Sequence, residues 1–68
     1  MDRETAERCR RDVDTMVANL FEVREHLNDM ERGLHESVEA RVEVIETSLA
    51  LGTVIQKLRG MKLAIHED

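Results

Sequence analysis

The sequence has no proline, no tryptophan and no tyrosine, and Phe21 is its only aromatic residue. Without proline, the strongest breaker of helix interiors is missing. Cys9 is the only cysteine, so no internal disulfide can form. A lone thiol suits a reducing compartment, and a cytoplasmic location is expected. No apolar run approaches the roughly 20 residues of a membrane span. The charged start Met1-Asp2-Arg3-Glu4 does not read as a signal peptide. The three glycines are scattered, so there is no glycine-rich phosphate loop. An excess of positive charge is also missing. Ten basic against fifteen acidic residues give a net charge of -5, which argues against a nucleic-acid or anionic-membrane partner.

What is present is the composition of long helices or coiled coils, with 37% charged residues beside many Leu, Val and Ala. A chain of 68 residues is one domain at most. A domain of this size buries little surface by itself, and nature usually adds disulfides, a metal or oligomerisation. With no disulfide, a second protein surface is the expected remedy. A small enzyme would need loops to carry its site, and this chain offers one short candidate.

Apolar residues fall on Ala6, Cys9, Val13, Met16, Leu20, Val23, Leu27, Met30 and Leu34. The steps alternate three and four, which predicts a helix with a heptad seam. A second seam runs through Ala40, Val44, Thr47, Leu51, Val54, Leu58, Met61 and Ile65. The two are out of phase, so the segment between them interrupts the helix. There Gly33 can take the left-handed conformation that ends a helix, and Leu34 can cover that end. Ser37 is a fair N-cap. Acidic residues at the front of the second segment and Lys57, Arg59 and Lys62 at its back suit the helix dipole.

The expected fold is all-α, an antiparallel two-helix hairpin that dimerises into a four-helix bundle. Residues 1–68 form one helical-hairpin domain, with helix 1 about 3–32, the turn 33–37 and helix 2 about 37–66. The alternative is one continuous helix with a stammer, about 90 Å long at 1.5 Å per residue. Register favours the hairpin. Folding back pairs Ala6 with Ile65, Cys9 with Met61, Val13 with Leu58 and Met16 with Val54. It continues with Leu20 on Leu51, Val23 on Thr47, Leu27 on Val44 and Met30 on Ala40. Every pair of numbers sums to 70 or 71, so all the layers close in one register.

Helix 2 carries more apolar surface than one seam uses. Val38, Val42, Ile45, Leu49 and Ile55 lie beside it, which is the mark of a helix covered on several sides. Gly52 is on the same helix, where it either permits close approach or is simply tolerated. Helix 1 adds Val17 and Phe21, one turn apart. Phe21 reads either as a core aromatic at a bundle edge or as a partner anchor. These eight residues are the candidate interface. Charge is uneven too. Residues 18–50 carry eight acids and three bases, whereas residues 1–17 and 51–68 together carry seven of each. In the folded hairpin, Arg8, Arg10 and Arg11 come near Lys57, Arg59 and Lys62, which is mildly repulsive. In an antiparallel dimer the acidic turn of one chain would lie against this basic cluster of the other.

No pattern supports chemistry. Glu22 and His26 are four apart, as are Glu31 and His35, and surface pairing explains both. His66 has no such neighbour. The Glu-x-x-His spacing of bundle metal sites is absent. Cys9 sits in the seam and reads as a small apolar residue. Ser37 reads as a cap and Ser48 as a helix-surface residue. Arg8-Cys9-Arg10-Arg11 is flanked by acids and lacks aromatics, so it reads as a solvated face. The expectation is a non-enzymatic protein-interaction module, an adaptor, assembly factor or small chaperone, with no cofactor and no metal. It would homodimerise or bind a partner helix. A small acidic regulator or inhibitor is the alternative, and an RNA-binding hairpin dimer a weaker one.

Overall fold

A computed structural model describes residues 1–67. The chain folds into two helices, α1 (Arg3–Gly33) and α2 (Val38–Leu63), packed against each other as a hairpin. The hairpin measures 55 × 15 × 9 Å. That length excludes the continuous helix.

Each helix starts on a side-chain cap. The Asp2 carboxylate accepts a hydrogen bond from the Thr5 backbone N–H at 2.7 Å, and Ser37 Oγ accepts one from Ala40 N–H at 3.2 Å. Both satisfy donors that a helix start leaves unpaired. The Thr5 bonds also hold the Asp2 carboxyl below its ordinary range, because they favour the charged form.

The turn is made differently from the sequence expectation. Gly33 does not take the left-handed conformation, and no described residue has a positive φ of that kind. The chain instead leaves α1 through two tight bonds, Leu34 N–H to the Glu31 carbonyl and Ser37 N–H to the Leu34 carbonyl. Such three-residue reaches tighten a helix end without a left-handed residue. Leu34 is half-buried against that end.

Helix α2 stops at Leu63, short of residue 66. There the Arg10 guanidinium donates to the Ile65 carbonyl at 3.0 Å and to Glu67 at 3.2 Å. Lys62 meets Asp14 at 2.7 Å. Two of the six cations gathered at the open end, Arg10 and Lys62, therefore have acidic or carbonyl partners, which relieves part of the repulsion expected from the sequence.

The largest departure is in the seam. Ala6, Val13, Val44 and Ile55 are the buried residues. Leu20, Leu27, Leu51, Leu58 and Ile65 are half-buried, as the heptad pattern expects. The alternate layers, however, have largely advanced by one residue, while Cys9 and Ala40 at their ends stay half-buried. Met16, Val23, Met30, Thr47, Val54 and Met61 are exposed, and Arg10, Val17, Arg24, Glu31, Arg41, Ser48, Ile55 and Lys62 turn inward. Val17 and Ile55 thus take the inward places expected of Met16 and Val54. Each helix has rolled by about half a residue step, roughly 50°. The cause is the width of the apolar arc. Val17 and Ile55 are as apolar as Met16 and Val54, so the contact settles at the centre of the arc. The long stems of Arg24 and Lys62 can cover its edges while their charged heads reach out.

Candidate interaction faces

The roll divides the exposed apolar surface into two faces, one on each side of the hairpin. The first is lined by both helices. Cys9, Val13 and Met16 of α1 share a shallow recess with Met61 of α2 and Ile65 beyond it. Seven-residue steps carry this face from Met16 to Val23 and Met30 on α1, and from Met61 to Val54 and Thr47 on α2. Met30 is 53% exposed and Met61 48%. Sequence reasoning put all of these in the core. The heptad pattern found the residues but could not say that they would face out of a single hairpin. Cys9 is only half-buried here.

The second face belongs mainly to α2. Val38, Val42, Ile45 and Leu49 run along it, and Val38 and Leu49 are 71% and 66% exposed. From α1 comes Phe21, exposed on one side and covered on the other by Arg59, whose guanidinium lies 5.5 Å from the ring centroid. Phe21, Arg24, Leu49, Gly52 and Arg59 line one recess of about 320 Å³.

Of the eight residues expected to form an interface, Val38, Val42, Ile45, Leu49 and Phe21 lie exposed on this second face. Gly52 and Val17 are half-buried at its edge. Ile55 departs from the expectation. It is 3% exposed, at the centre of the helix–helix contact rather than beside it, because the roll brings it there. Ser48 likewise turns half-buried instead of staying on the surface. Phe21 is no core aromatic. A Cβ built on Gly52 meets nothing within 4 Å, so this glycine does not serve close approach of α1 and α2.

A third recess near the turn is lined by Asn28, Glu31, Arg32, His35 and Arg41. Arg32 is paired with Asp29 at 3.0 Å, while Arg41 Nε is shielded from solvent without a hydrogen-bond partner. Among the described residues, no group of three or more His, Cys, Asp or Glu is placed to hold a metal ion. No described helix is long and apolar enough to cross a membrane. Comparison with known proteins finds no matching family model, no similar curated protein and no similar solved structure.

Proposed function

We infer that this chain is a non-enzymatic protein-interaction module, an adaptor, assembly factor or small chaperone of the cytoplasm, that presents apolar helix faces to other helices. Dimerisation into a four-helix bundle is part of this reading, and docking of a partner helix is its second form. One observation carries it. Branched and sulfur-containing side chains remain exposed on both sides of the hairpin, over nearly its whole length. A stable domain normally packs two layers around its core, and a hairpin is a single layer. Apolar stripes at three- and four-residue spacing are what helix-in-groove recognition uses, and contiguous exposed apolar patches mark interaction sites. Net negative charge makes protein a better partner than nucleic acid.

Affinity capture with the full chain tests the reading, using Ile45→Glu on the exposed α2 stripe and Glu39→Lys as the control. A charge placed in a closed apolar contact loses its hydration without gaining a partner. The wild type and Glu39→Lys should retain the same partner, and Ile45→Glu should lose it. The reading is sunk if all three capture alike, with solution mass and thermal midpoint unchanged, and the wild type is a monomer throughout.

A further inference from the structure

We propose that the face formed by Met16, Val23, Met30, Thr47, Val54 and Met61 is covered by a second copy of this chain, with the acidic turn of one hairpin against the open end of the other, which carries no net charge. This rests on the interaction reading above and assigns it a face, an occupant and an orientation.

The first argument is the roll of the helices. In a four-helix bundle each heptad seam points at the bundle axis, between the helix beside it and the helix across from it. A seam aimed squarely at one neighbour belongs to a two-stranded coil. Here both seams are rolled halfway out, and both toward the same side. Leu20, Leu51 and Leu58 stay half-buried while Met16, Val54 and Met61 open outward. The hairpin already has the side-chain directions of half a bundle.

The second argument is area. The chain exposes 5323 Å². A compact monomer of 7.9 kDa is expected to expose about 4400 Å². The excess, about 900 Å², matches the roughly 800 Å² that each partner contributes to a standard interface.

The third argument is charge at the border of this face. Seven-residue spacing places Asp12, Asn19 and His26 along it on α1, and Glu43, Ala50 and Lys57 along it on α2, all exposed. In the antiparallel dimer, α1 lies along the partner's α1 and α2 along the partner's α2. Met16 then meets the partner's Val23, and Val54 the partner's Thr47. The same register sets Glu43 beside the partner's Lys57 and Asp12 beside the partner's His26. The uncharged Asn19 and Ala50 each meet their own copies at the twofold axis. The α2 run thus carries opposite charges at its ends and a neutral middle, which is what self-pairing requires. The opposite orientation would also pair these borders, Asp12 with the partner's Lys57 and His26 with the partner's Glu43. It would, however, place two turn halves of net charge -5 side by side. Juxtaposed like charge is disfavoured, so the turn lies against the neutral open end.

The test is sedimentation of the full chain over a range of concentrations, with Met16→Glu, Val54→Glu and Ile45→Glu, followed by spin-label distance measurement. Met16 and Val54 are exposed in the single hairpin, so circular dichroism can confirm that the variants remain helical. The wild type should be a dimer. Met16→Glu and Val54→Glu should each weaken it by at least about tenfold, and Ile45→Glu should leave it intact. A wild type that stays monomeric at high concentration overturns the proposal. So does a dimer broken by Ile45→Glu but not by Val54→Glu, an outcome that leaves the general interaction reading standing on the other face. One spin label per chain, at Glu36→Cys in a Cys9→Ala background, decides orientation. The antiparallel dimer separates the labels by about 29 residues of rise, roughly 44 Å at 1.5 Å per residue. Labels found within about 25 Å, the span of a bundle cross-section built from helices of roughly 10–12 Å, overturn the orientation.

Discussion

Val54 and Ile55 are consecutive residues of α2, yet Val54 is 44% exposed and Ile55 is 3% exposed. One step along the helix thus separates the contact within the hairpin from the face outside it. Ile55→Ala should destabilise the hairpin by about 2–4 kcal/mol, as truncation of a buried branched side chain does. Val54→Ala should cost less than about 1 kcal/mol in dilute solution, since little of its surface leaves water within one hairpin. Its cost should rise with protein concentration if a second copy covers it. Urea denaturation at two concentrations measures both. Equal costs at low concentration would put the seam back through Val54.

The same pair shows what the sequence could and could not tell. The helices, the break between residues 33 and 37 and the Ser37 cap were all legible. Each depends on local spacing or on residues with one strong preference, and Ser37 accepts the Ala40 N–H as a cap should. The rotation of each helix was not legible. Heptad spacing identifies an apolar stripe but not the direction in which it points, and on α2 the stripe is nearly all the way round. Ile55 and Val54 are interchangeable in hydrophobicity, so only packing could choose between them. The exposure of the apolar stripe Val38, Val42, Ile45 and Leu49 was legible because no roll of α2 could bury both it and the seam. The Asp2 cap and the Arg10 bond to the Ile65 carbonyl were missed. The first carries the ordinary signal of an acid just before a helix, while the second joins residues 55 positions apart.

Arg10 ties the last residues of the chain to α1 through the Ile65 carbonyl and the Glu67 carboxylate. Arg10→Ala should release that tie without unfolding the hairpin. Hydrogen exchange should speed up at the amides of Ala64 and Ile65, whose bonds run back to Gly60, Met61 and Lys62, and stay unchanged near Val44. The ion pair itself is partly exposed on both sides, so high salt should weaken only a small part of the effect. Unchanged exchange at Ala64 and Ile65 would show that helix packing alone holds this end.

Asp2 gives α1 an acid-sensitive start. Its carboxyl is held below the usual range by the Thr5 N–H, then by the Thr5 hydroxyl. A depressed folded-state pKa means that the cap contributes stability above the ordinary aspartate pKa. The contribution is lost as pH falls through the depressed value. The Thr5 amide resonance should therefore move at a lower pH than an unstructured aspartate would titrate, with fraying of the first turn. Asp2→Ala should abolish the transition and leave the first turn frayed at neutral pH. A Thr5 amide that follows an ordinary aspartate titration would rule out the cap.

Gly52 separates the stability of the hairpin from its capacity to bind. It lies inside α2, where glycine is about 1 kcal/mol less favourable than alanine, and a methyl group added there meets nothing within 4 Å. Gly52→Ala should therefore raise the thermal midpoint of the isolated chain, by a free energy on the order of 0.5–1 kcal/mol. Its open side faces the recess shared with Phe21, Leu49 and Arg59. A helix docked over the α2 stripe would approach most closely at the residue that has no side chain. The same substitution should then weaken such a partner while strengthening the hairpin, and leave self-association through Val54 and Met61 untouched. Thermal unfolding, sedimentation and partner capture on the one variant separate these effects. A lower midpoint would mean that α1 and α2 approach more closely at Gly52 than this structure has them. A higher midpoint with undiminished capture would move the docking site away from the Phe21 recess.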